Sequence, residues 1–331
     1  MPSHARPVRR PAARGPLSAH VLAVLEGAHG PAPQIPRSPD PDDLHLALHL
    51  CYELHYGGLP GVPDDLEWDP HLIAFRRVLE RWFEADLFDR VGPPVPSQDV
   101  RAALPELIRH DDGPSLSSWM VEHGTLTAMR EFVVHRSSYQ LKEADPHSFA
   151  IPRLPRAAKA GLVSIQAGEY GVEHPDHVMH SELFARTMRD LGLDDRPNAY
   201  LDQLPATTLA NGNLVSMFGL NRRWRGALVG HLSVFEMTSV EPMGRYSAAL
   251  ERMGASPVAR RFYDVHVMAD AVHEVVAVEE MAGPLADEEP ELAGDILFGA
   301  RAVIASEGAF AQHLLDAFAE GRSSLLEPVA A

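Results

Sequence analysis

The sequence predicts an all-α protein, and three features carry that expectation. No sustained period-two alternation of apolar and polar residues runs along the chain, so half-buried strands leave no signal. Short apolar runs sit instead inside longer patterns with a period near 3.6. Proline stands at the head of several of these patterns, where its missing N–H costs a helix nothing.

The elements follow in order. Residues 31–41 are rich in proline and read as a linker. Asp42 or Asp43 can cap a helix that runs to about Tyr56, where Gly57 and Gly58 stop it. A helix over about 70–89 carries Leu72, Phe75, Val78, Leu79, Trp82 and Phe83 on one face. Val91-Gly92-Pro93-Pro94 breaks the chain, and a short helix covers about 97–109. Beyond Asp111-Asp112-Gly113-Pro114, longer helices are expected over about 115–142, 155–170, 175–191, 205–218, 222–253, 257–281 and 290–318. The expected division is a disordered tail and linker over 1–40, an N-terminal helical region over 41–112 and a main helical domain over 113–320.

Composition limits what the chain can do. Its 331 residues, 45% of them apolar, can bury a sizeable core. The net charge of −17 argues against a nucleic-acid partner, which would select a basic face. The one basic cluster, Arg6, Arg9, Arg10 and Arg14, lies among prolines in the expected tail. No run of eighteen apolar residues exists, so no membrane partner is expected. The N-terminus lacks the apolar stretch of a secretory signal. Cys51 is the single cysteine and cannot form an internal disulfide, which favours a cytoplasmic location. It lies in an apolar run and reads as core filler.

The chemistry centres on the run from Tyr263 to His273. His266, Asp270 and His273 stand at i, i+4 and i+7, within one stripe of a helix. Val265, Val267, Met268, Ala269, Ala271 and Val272 fill the positions between, so the helix is expected to be buried on most sides. No Lys or Arg occurs between Phe262 and Arg301 to pair with the carboxylate. Two readings fit: metal ligands, or a polar stripe satisfied by other helices.

Several other chemistries drop out. His273-Glu274 begins a zinc-protease motif, but Ala277 stands where its second histidine belongs. No Walker loop, Gly-x-Ser-x-Gly elbow or Cys-x-x-Cys pair occurs. The paired Glu-x-x-His of ferritin-like bundles is missing too. Further carboxylates and histidines lie in apolar or helix-end settings: Glu236, Glu169 before Gly171, His180 after Met179, and Glu143 beyond Tyr139. Each alone is more often a capping or structural residue.

Together these phrases resemble the haem-oxygenase-like diiron oxidases and oxygenases, above all the actinobacterial branch of iron-containing redox enzymes and its N-oxygenating members. The phrases are Cys51-Tyr52-Glu53-Leu54-His55-Tyr56, Leu141-Lys142-Glu143-Ala144-Asp145-Pro146-His147, Glu169-Tyr170-Gly171, Gly230-His231 leading to Phe235-Glu236-Met237-Thr238-Ser239, and the His266/Asp270/His273 run. The resemblance spans about 53–310.

It implies a haem-oxygenase-like helical bundle with an N-terminal helical extension, and two irons with O2 as co-substrate. Glu169 and His180 would bind one iron, Glu236 would bridge or cap, and His266, Asp270 and His273 would come from the last core helix. Glu143 matches an additional ligand of the N-oxygenating branch. The interval from Glu169 to His180 is one residue longer than the pattern, which the loop at Val172-Glu173-His174 can absorb and which leaves His177 as a rival to His180. Glu143, Glu169, Glu236 and Asp270 supply four negative charges, which two ferrous ions balance.

The expected function is non-haem diiron oxygenation of a small molecule, with N-oxygenation of an amine or guanidine first, and oxidative C–C cleavage or iron storage as alternatives. An external electron donor and a homodimer are the expected partners. Tyr139, Tyr170, Arg222 and Arg223 are candidates for the pocket wall.

Overall fold

A computed structural model describes residues 9–28, 30–96, 99–172 and 177–329, with the side chains of 270 and 271 outside the description. Among the described residues the regular structure is helical. The α-helices are α1 (Pro16–Leu25), α2 (Pro41–Glu53), α3 (Pro70–Val91), α4 (Val100–Arg109), α5 (Leu116–His123), α6 (Leu126–Gln140) and α7 (Asp145–Ser148). They continue as α8 (Arg156–Glu169), α9 (His180–Asp190), α10 (Ala206–Leu220), α11 (Arg225–Thr238) and α12 (Val240–Arg252). The last are α13 (Pro257–Val275), α14 (Gly283–Glu288) and α15 (Ala293–Ala319). No described helix is long and apolar enough to cross a membrane.

The expected disorder of residues 1–40 does not hold over 16–25, where α1 forms. Leu17, Val21 and Leu25 of that helix are buried, and it packs on α2. The helix has no cap of its own, because Gly15 stands at the cap position. Asp43 of α2 supplies one: its carboxylate accepts from Leu17 N at 2.9 Å and Ser18 N at 2.7 Å. Asp42 or Asp43 was expected to cap α2. Asp40 does that instead, accepting from Asp42 N and Asp43 N, with Pro41 in the first turn.

Three expected helices are interrupted. The 115–142 segment breaks at Gly124 and Thr125, where Thr125 caps α6 through Ala128 N. The 222–253 segment divides at Ser239 into α11 and α12. The 257–281 segment changes at Val276 to a π-helix that runs to Ala282, a form that concentrates at functional sites.

The boundary expected near 112 does not separate two cores. Helix α2 packs on α10, and α3 on α15, so the N-terminal helices share one apolar core with the rest. Cys51 is buried in that core, and burial pushes its thiol up to about 12.

Candidate metal centre

Five chain segments bring the site together. Helix α6 ends at Gln140, and the turn beyond it carries Glu143. Glu169 is the last residue of α8, and His180 is the first of α9. Glu236 lies on α11, and His266 and His273 lie on α13. Gly171 lets the segment between α8 and α9 return tightly. Its φ is +73°, and a methyl group there would lie 2.5 Å from the Val178 carbonyl oxygen. Residues 173–176, where the extra residue of the interval was expected to be absorbed, are outside the described residues.

The ligand atoms form two groups that share one carboxylate. Glu143, Glu169, His180 and His266 form the first, and Glu169, Glu236 and His273 the second, with the atoms of each group within 4.8 Å of one another. Glu169 Oε2 is 2.9 Å from His180 Nδ1, while its Oε1 is 4.0 Å from His273 Nδ1. His273 Nδ1 is also 3.2 Å from Glu236 Oε2, and His266 Nε2 is 3.6 Å from Glu143 Oε1. The carboxylate common to both groups is Glu169, while Glu236, which the resemblance has bridge or cap, stands in the second group alone. Asp270 is helical in backbone, and its side chain lies outside the described residues. His177 is exposed and stands in neither group.

Electrostatics show what this arrangement costs by itself. Burial raises the pKa of Glu143 in spite of His266. Burial also opposes the charge of Glu169, but His180, His266 and His273 overcome it and hold that carboxyl at about 2. Glu143 Oε2 is buried with no hydrogen-bond partner, a cost that a cation would remove. Carboxylates and imidazoles in adjacent groups are the donors that suit iron. The residues present therefore fit a pair of iron ions.

Close packing holds α8 against α13 and the π-helix. A methyl at Gly168 would lie 2.8 Å from His273 Cε1, and one at Gly161 would lie 2.6 Å from the Glu280 carbonyl oxygen. The opposite face of α13 corrects the expectation of burial on most sides. Met268 is 62% exposed and Val272 65%.

Behind Glu143 the backbone is strained. Ala144 has φ +75°, uncommon for a residue with a Cβ. Gln166 Nε2 fixes it by donating to the Ala144 carbonyl at 2.7 Å.

A cavity of about 300 Å³ opens onto Glu143, Glu169, Glu236 and His266. Tyr139 lines it, as expected for a pocket residue. Tyr170 instead bonds Asp145 and Ser148, and Arg222 and Arg223 are exposed. Sequence reasoning missed Arg136 and Glu307, which line the cavity from α6 and α15. Their only sequence signal is opposite charge on two apolar helices far apart in the chain.

Such a site, in a helical bundle, has the carboxylate and histidine donors that a redox metal takes. The chain belongs to the iron-containing redox enzyme family, whose profile matches residues 130–308 and so includes every candidate ligand named above. No curated protein sequence matches the chain. Among solved structures, one similar chain is a domain of unknown function with a heme oxygenase-like fold from Shewanella denitrificans OS217. Identity is 12%, with 68% of this chain and 94% of that one covered, at a TM-score of 0.45.

Proposed function

We propose that the protein is a non-haem diiron oxygenase that uses O2 to oxidise a small organic substrate, by N-oxygenation of an amine or guanidine. The observation that carries this reading is Glu169, one buried carboxylate facing two histidine-containing groups. Bound there, two ferrous ions would supply the electrons that activate O2.

The protein's own residues do the remainder. Glu169 would hold both metal positions at a fixed separation, His180 and His266 would serve one, and Glu236 and His273 the other. Glu143 brings an extra negative charge to the first group, which favours a higher metal charge there. The aromatic wall of the cavity, Tyr139 and Phe235 among others, keeps water from the reacting end. A dry pocket also lowers the pKa of an amine, leaving its lone pair open to oxidation. An external reductant would return the irons to the ferrous state, and the working form would be a homodimer.

The test is anaerobic loading with Fe(II), followed by isotopically labelled O2 and a panel of amines and guanidines. The expected result is two irons per chain and a product with labelled oxygen on nitrogen. Ferric iron accumulating beyond two per chain without product would indicate storage. A product shortened by loss of carbon would indicate C–C cleavage. Either outcome overturns the proposal.

A further inference from the structure

Two carboxylates reach the first ligand group from separate segments, Glu143 from the turn after α6 and Glu169 from the end of α8. Like charges this close repel. The backbone of the turn opposes the arrangement too. Ala144 follows Glu143 directly and has φ +75° and ψ −37°, a region that residues with a Cβ rarely enter. Such a conformation persists only where its surroundings hold it.

One turn of α8 supplies the hold. Gln166, Glu169 and Tyr170 stand at i, i+3 and i+4, so they share one face of the helix. Gln166 Nε2 donates to the Ala144 carbonyl and to Ser148 Oγ, each at 2.7 Å. Ser148 Oγ lies 2.8 Å from the Tyr170 hydroxyl, and that hydroxyl lies 2.8 Å from Asp145 Oδ1. The two ends fix the direction of every bond. A carbonyl can only accept, so the amide nitrogen of Gln166 faces the turn. An ionised carboxylate can only accept, so Tyr170 donates to Asp145 and accepts from Ser148. Gln166 is buried, and water does not compete for its amide. The chain of bonds leaves α8 at Gln166 and ends on Asp145, with the residue after Glu143 gripped on both sides.

We propose that Gln166 is the positioning residue for Glu143: its amide holds Ala144 at positive φ, and that conformation aims Glu143 at the group it shares with Glu169. A tie between α7 and α8 could serve packing alone. This one starts one turn before Glu169 and ends on the residue that follows Glu143, so the helix that presents one carboxylate also sets the other. Gln166 acts through the turn and is not itself among the ligand atoms. The consequence for a bound ion rests on the metal-site reading; the hold on the turn does not.

The experiment has a metal-free arm and a Co(II) arm, both on the full chain. Without metal, backbone amide exchange is followed over residues 143–148. Gln166→Leu should speed it by roughly tenfold, the worth of one hydrogen bond, and Tyr170→Phe, which cuts the chain of bonds at its far end, should speed it less. With Co(II), Gln166→Leu should weaken the ion of the first group by about 10–100-fold, as loss of an outer partner does, and leave the second ion bound. The visible spectrum of Co(II) should change alike in Gln166→Leu and Glu143→Gln, since both lose the same ligand. In a Glu143→Gln background Gln166→Leu should weaken binding no further, because a residue that acts through Glu143 has nothing left to place. Ala144→Gly removes the steric cost of positive φ and should restore part of the affinity lost in Gln166→Leu. A packing role would give additive losses and no rescue. The proposal is overturned by unchanged exchange in Gln166→Leu, by losses that add to those of Glu143→Gln, or by no recovery with Ala144→Gly. Wild-type protein that binds no Co(II) while the exchange result holds would remove the metal reading and leave the hold on the turn standing. Two bound ions with unchanged exchange would do the reverse.

Discussion

His266 donates its Nδ1–H to the carbonyl of Phe262 at 2.8 Å, one turn back along its own helix. A carbonyl can only accept, so Nδ1 carries a proton and Nε2 is the nitrogen left to bind a metal. Nε2 is the nitrogen that faces Glu143. The helix thus orients the ring so that Nε2 is the atom offered to a metal.

Loss of that nitrogen should be decisive. His266→Ala, His273→Ala and Asp270→Ala should each lower iron below two per chain. Each should cut O2 uptake by more than about 100-fold, since even the outer partners of metal ligands are worth about 10–100-fold. His177→Ala, at an exposed position outside both groups, should change neither. Elemental analysis and an oxygen electrode measure both quantities.

Metal should also stabilise the chain. Iron that binds only the folded state adds about 2.7 kcal/mol at a hundredfold excess over its dissociation constant. Chelation should therefore lower the melting temperature by several degrees. An unchanged melting curve would mean that these groups do not hold a metal in the folded protein.

The turn bearing Glu143 should depend on the residue before it. Lys142 Nζ contacts Glu53 Oε1, and Asn198 Nδ2 donates to Glu53 Oε2 at 2.7 Å. Glu53 is buried, so Lys142→Met leaves a buried carboxylate short of its countercharge, at about 3–5 kcal/mol. Adding Glu53→Gln to that variant should restore part of the loss. Denaturant titration of the single and double variants separates the two results.

Acid should weaken the fold through α2. Burial depresses His45 to about 3 and His49 to about 4, the latter in spite of Glu53. The unfolded chain binds protons at these positions from about pH 6.5 downward, while the folded one stays neutral until about pH 4 or 3. Stability is therefore fully present above pH 6.5 and falls as pH drops through that window, by roughly 1 kcal/mol per pH unit for each group. Melting temperatures across the range should decline more gently in His45→Gln.

Much of this was legible in the sequence because helices advertise themselves. Leu72, Phe75, Leu79 and Phe83 repeat with helical spacing and are buried. The stripe from His266 to His273 was visible because charged and imidazole groups stood among valines without a local counterion. What stayed hidden depends on distant partners. Gly15 gives no hint that Asp43 caps α1 from 25 residues away, so α1 read as part of a tail. Arg136 and Glu307 are 171 residues apart, and no local pattern couples them. The change of helix type at Val276 has no composition of its own.

Gly161 and Gly168 stand two turns apart on α8, and each faces something that a methyl group would strike. Considered as inheritance, that closes two codons to ordinary drift. Any replacement at 168 adds at least one carbon, and the carbon falls on the imidazole of His273. Val163 and Ser164 lie between them on the same helix with their side chains exposed. A library of random single substitutions, sorted for iron retention, should return α8 with Val163 and Ser164 varied freely and the two glycines unaltered.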